Sequence, residues 1–116
     1  MSPKAYAMAW FCAFMLTQVV ECPIYVYLTR ILRRRAFLLS AITHPCVWFV
    51  IPPLCDGAGL SYTQMVWVAE LFAWSTEAAL LVWFRVRWRR ALVVSLVANG
   101  ASVAVGMLER ETLGWF

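Results

Sequence analysis

Four polar residues sit where an apolar sequence can least accommodate them: Glu21, His44, Glu77 and Asn99. Each lies well inside an apolar run of membrane-crossing length, where ionisable groups are rare and costly. Depth can be counted from the nearest arginines. Glu21 is nine residues before Arg30, His44 nine after Arg35, Glu77 eight before Arg85 and Asn99 nine after Arg90. At about 1.5 Å per helical residue, all four fall about 12–14 Å from the arginine ends of their helices. That is near the middle of a hydrocarbon layer about 30 Å thick. Two carboxyl groups in one such layer cannot both stay charged cheaply. Either one holds a proton, or a cation such as protonated His44 sits between them. The chemistry this layer points to is proton or cation binding. The plainer role is hydrogen-bonded contact between helices, worth roughly 0.6 kcal/mol per bond in a membrane.

Helical spacing places further polar groups on the same faces. Gln18 accompanies Glu21, Ser40 accompanies His44, Glu70 lies two turns from Glu77, and Ser95 lies one turn from Asn99. Turning these stripes inward hides them from lipid. Other chemistries find less support. His44 is the sole histidine and the apolar segments contain no aspartate, so a serine triad has no base or orienting acid. The four cysteines, Cys12, Cys22, Cys46 and Cys55, lack CxxC or Cys/His ligand spacing, and no metal site or other cofactor is implied. Cys12 and Cys55 fall toward the same end, which leaves a disulfide between them open. An enzyme is not expected.

The elements that must position these residues are four apolar segments, near 5–29, 36–53, 63–84 and 91–108. Pro23 is expected to kink the first, Pro52 and Pro53 to close the second, and 54–62 to form a loop. With 64% hydrophobic and 14% charged residues, the chain departs from soluble averages of roughly 45–50% and 25%. Lipid, not water, is the expected solvent for most of it. The 116 residues make one domain, 1–116.

The net charge of +4 is concentrated. Eight of the ten basic residues lie in two short turns: Arg30, Arg33, Arg34 and Arg35, then Arg85, Arg87, Arg89 and Arg90. That distribution is the positive-inside pattern rather than a nucleic-acid-binding face. It puts both turns in the cytoplasm and both termini outside it, in a plasma membrane of bacterial inner-membrane type.

The chain also carries one stretch twice, at 21–45 and 77–100. With one residue dropped at the arginine turn, Glu21 falls on Glu77, Arg33 and Arg34 on Arg89 and Arg90, Ser40 on Ser95, and His44 on Asn99. The expected fold is therefore an all-α integral membrane bundle. Its four transmembrane helices form two parallel-repeated hairpins, about 5–53 and 63–108, related by a pseudo-two-fold axis along the membrane normal. In size, span count and possession of an acid in the first span, Glu21, the chain resembles the small multidrug resistance transporters. It departs from them in lacking a glycine-rich third helix and in an arginine bias that fixes one orientation.

Size favours a non-catalytic subunit or assembly factor of a larger membrane complex, because little chain remains outside the bilayer to bind or catalyse. The alternative is a small proton- or cation-coupled transporter or channel built on the Glu21, His44, Glu77 and Asn99 layer. The expected partners are the lipid bilayer and either other membrane subunits or a second copy of the chain, with no nucleic acid. The topology is testable: reporters fused at the C-terminus and within the 85–90 turn should report opposite compartments. A cytoplasmic C-terminus would break the assignment.

Overall fold

The structure, a computed structural model, describes residues 2–112, with side chains through Leu108. It is all-helical among these residues. Four helices are long and apolar enough to cross a membrane: α1 (Pro3–Thr29), α2 (Arg33–Gly57), α3 (Tyr62–Trp83) and α4 (Trp88–Thr112). Together with outward-facing large apolar residues such as Val19, Tyr27 and Trp83, they suggest a membrane protein. The longest dimension is 40 Å.

Each boundary has a local cause. At the start of α1, the Ser2 hydroxyl accepts from the Ala5 amide and Pro3 occupies the first turn. A reciprocal capping box opens α3. The Ser61 hydroxyl accepts from the Gln64 amide at 3.2 Å, and the Gln64 side chain accepts from the Ser61 amide at 2.9 Å.

Three of the helix ends close through a left-handed residue. Arg30 (φ 58°) ends α1 with its amide on Val26 O. After α2, Gly59 (φ 76°) and Leu60 bond back to Asp56 O and Cys55 O. After α3, Arg85 (φ 71°) and Val86 bond back to Val82 O and Leu81 O. The last two are Schellman turns.

The second segment differs from the sequence expectation. Pro52 and Pro53 do not end it; the helix runs on to Gly57, and the loop contracts to residues 58–61. Pro52 and Pro53 have no N–H, so Trp48 O loses its donor in either an i+4 or an i+5 pattern. The chain answers in two ways. It widens into a π-helical turn at Cys46–Val50, where the Ile51 amide reaches Cys46 O. The Tyr6 hydroxyl of α1 then donates to Trp48 O. Pro23, likewise, sits within a continuous α1.

The helices pack as a ring, in which α1 and α3 each touch both α2 and α4 and so face one another diagonally. Seven of the fifteen buried apolar residues are alanines, including Ala36, Ala78, Ala91 and Ala98. Such small residues let backbones approach closely where lipid supplies no hydrophobic drive between helices. The main apolar cluster, with Tyr25, Leu39, Leu81 and Val94 at its heart, lies toward the arginine turns. A smaller one, Ile51, Cys55 and Ala69, joins the end of α2 to the start of α3. All four cysteines are free thiols, so Cys12 and Cys55 are not bridged.

The left-handed caps yield a paired prediction. Gly59→Ala places a Cβ where φ is 76° and should cost about 1 kcal/mol. Arg85→Gly relieves the same strain and should stabilise by a similar amount. Thermal unfolding in detergent micelles reads both, and a reversed order would contradict the cap geometry.

Candidate functional site

The ring arrangement brings a residue of α1 and a residue of α3 together at the bundle centre. Glu21 and Glu77 are 3% and 1% exposed, and both line the same small cavity. Each also accepts two hydroxyl hydrogen bonds, one per oxygen. Glu21 Oε1 accepts from Ser40 Oγ at 2.9 Å, and its Oε2 from Ser102 Oγ at 2.6 Å. Glu77 Oε1 accepts from Tyr25 Oη at 2.6 Å, and its Oε2 from Thr43 Oγ1 at 3.0 Å. The donors come from α1, α2 and α4, so the two side chains tie all four helices together. No basic side chain forms an ion pair with either carboxyl group among the described residues.

Beside the pair lies a cavity of about 150 Å³, and Glu21, His44, Glu70, Glu77 and Asn99 all contribute to its wall. The four residues counted from the arginine turns are thus all in its lining. Their pairing differs from the sequence reading. His44 does not sit between the carboxylates: its Nε2 is 3.3 Å from Thr17 Oγ1, and its ring packs among Trp10, Phe14 and Trp48. His44 Nδ1 is buried without a partner. Asn99 donates back to Ser95 O at 2.8 Å, one turn earlier on its own helix.

The supporting stripe divides into two roles. Ser40 belongs to the carboxyl cluster and Glu70 to the cavity wall. Gln18 and Ser95 instead clamp helices together. Gln18 Nε2 donates to Phe37 O at 3.1 Å, joining α1 to α2. Ser95 Oγ donates to Trp74 O at 2.9 Å, while Trp74 Nε1 donates to Leu92 O at 2.9 Å, joining α3 to α4.

Glu70 also lines two adjoining cavities, of about 270 and 420 Å³, that run to Tyr62, Met107 and Tyr6 at the end away from the arginines. In the other direction the apolar cluster around Tyr25, Leu39, Leu81 and Val94 closes the bundle. The chamber is thus bordered by further cavities on one side and by apolar packing on the other.

Sequence reasoning had no ground to select Thr43 and gave Tyr25 and Ser102 no role as carboxyl partners. Tyr25 is one turn from Glu21, but its hydroxyl crosses to the other glutamate. Thr43 aligns with apolar Ala98 in the second copy, which hides its role. No three His, Cys, Asp or Glu side chains converge as metal ligands would, among the described residues.

No protein-family model matches the chain, and neither a curated protein nor a solved structure matches it. The hydroxyl set supplies a prediction of its own. Tyr25→Phe strips a donor from a fully buried carboxyl oxygen and should destabilise by about 1–3 kcal/mol. Tyr27→Phe, at an outward position 86% exposed, should change unfolding by about 0.5 kcal/mol or less. Equal effects in a thermal or denaturant series would mean that the carboxyl network carries no stability.

Proposed function

We propose that the protein is an integral membrane protein of the transporter or channel class whose Glu21–Glu77 pair takes up and releases a proton. The observation that carries this reading is the pair itself. Two carboxyl groups share the buried bundle centre, each bonded by two hydroxyls, and among the described residues no basic side chain pairs with either. Such a pair cannot hold two negative charges cheaply, so a proton between the two groups is part of the site's chemistry. The adjoining cavities supply access from the side away from the arginine turns, with Glu70 on the wall between chamber and exit.

The wider architecture follows from the same reading. The two hairpins are copies related by a pseudo-two-fold axis through the glutamate pair, along the membrane normal. Tertiary contacts support this as well as sequence does. The clamp from Gln18 to Phe37 O becomes, 56 and 55 residues on, the clamp from Trp74 to Leu92 O. Buried positions also correspond: Ala13 with Ala69, Tyr25 with Leu81, Ala36 with Ala91, Ser40 with Ser95, and Thr43 with Ala98. In a bacterial-type inner membrane the arginine turns face the cytoplasm, and the exit cavities open outside.

A second reading draws on the same geometry. Because all four carboxyl oxygens already have protein donors, the layer could serve only to lock helices in a non-catalytic subunit or assembly factor. Infrared titration of the carboxyl bands in lipid-reconstituted protein separates the two. Under the proton reading, the protonated-carboxyl band changes with pH, and Glu77→Gln abolishes that change while leaving the helical content intact. Under the packing reading, the band stays constant with pH and Glu77→Gln costs about 1 kcal/mol or less. A constant band would overturn the proposal.

A further inference from the structure

At the opposite end from the exit cavities, the two arginine turns enclose a basin of about 500 Å³. Its wall carries Arg30 and Arg35 from the first turn, and Arg85, Arg87 and Arg90 from the second. Its apolar lining includes Ile31, Phe84 and Val86. Among the described residues that line the basin there is no acid beside these five arginines. The chain's six carboxylates lie at Glu21, Asp56, Glu70, Glu77, Glu109 and Glu111, so none is in either turn. A merely positive-inside loop needs charge but no enclosure. Here arginines of two separate turns line one concave space.

Backbone electrostatics add to the same field. Both α2 and α4 begin at this end; Arg35 N of α2 donates to Leu32 O, and the amides ahead of it belong to the helix start, which lacks i−4 carbonyl partners. A helix start ordinarily carries a hydroxyl or carboxylate cap, with acids in the first turn. Leu32 gives α2 no side-chain cap, and neither helix has an acid in its first turn. Arginines occupy those positions instead, adding positive charge to the positive pole of each dipole. That arrangement is unfavourable alone and becomes favourable around an anion. Arg35, moreover, is held with its guanidinium 5.1 Å from the Phe84 ring centre, so part of its ordering cost is met before any ligand arrives.

We propose that this basin binds a diphosphate anion. Guanidinium groups match phosphate oxygens in a two-pronged geometry. Arginines drawn from two turns across a basin much larger than one phosphate call for two phosphoryl groups on a short linker. That chemistry has two sources: the headgroup of a membrane lipid bearing two phosphates, or a soluble diphosphate. The apolar lining next to a membrane surface suits the former. This site is independent of the carboxyl pair.

The test uses the full chain, stripped of lipid in an uncharged detergent. Native mass spectrometry and calorimetry would compare diphosphatidylglycerol with phosphatidylglycerol, and pyrophosphate with phosphate. The expected result is that at least one diphosphate binds about tenfold or more tightly than its monophosphate counterpart. Preference in the lipid pair alone assigns the lipid source, and preference in the soluble pair alone assigns the soluble one. The double variant Arg87→Gln with Arg90→Gln should weaken that binding by about tenfold or more. The double variant Arg33→Gln with Arg34→Gln removes equal charge from positions outside the basin and should weaken it less than about threefold. Circular dichroism confirms that each variant is folded. Absence of diphosphate preference in both pairs, or equal losses in the two double variants, would overturn the proposal.

Discussion

Burying Glu21 and Glu77 against one another is the constraint on which the bundle depends. A carboxyl group withdrawn from water and left without partners costs more than most single contacts return. The chain meets that cost with four hydroxyl donors, from Tyr25, Ser40, Thr43 and Ser102. Those donors sit on three helices, and the two acceptors on diagonal ones. Satisfying the pair therefore fixes the rotation of every helix about its own axis. Alanine-rich interfaces let the helices come close but specify orientation weakly; the carboxyl network supplies what they lack.

The two ends of the bundle are built differently. Toward the arginines, Tyr25, Leu39, Leu81 and Val94 form a continuous apolar plug. Away from them, Pro52 and Pro53 disturb α2, a π-helical turn widens it, and the smaller core leaves cavities beside Glu70. The proline-induced irregularity lies on the open side, where a helix with missing hydrogen bonds is tolerated because it borders a cavity.

His44 and Asn99 show how sequence alignment and packing can part. Aligned in sequence and lining the same cavity, they have different surroundings. His44 is held in an aromatic cage with Thr17, and Asn99 turns back onto its own helix at Ser95. The clamp at Gln18 and Trp74 is the opposite case: unlike side chains make the same inter-helix bond.

The amino-acid sequence by itself determined four membrane-length helices and both arginine turns, and it set Glu21, His44, Glu77 and Asn99 at matching counts of residues from those turns. Hydropathy, charge position and rise per residue are local properties, and they survive folding unchanged. It could not determine which of those groups meet. Helix rotation and diagonal contact decide that, and only the tertiary structure put Glu21 against Glu77 rather than His44, with Tyr25 and Thr43 as donors. The reach of α2 past Pro52 and Pro53 was equally hidden. A proline removes local hydrogen bonds, and whether the helix stops depends on a distant donor, here the hydroxyl of Tyr6 on α1. Local pattern set the position of each polar group along its helix; packing between helices chose its partner.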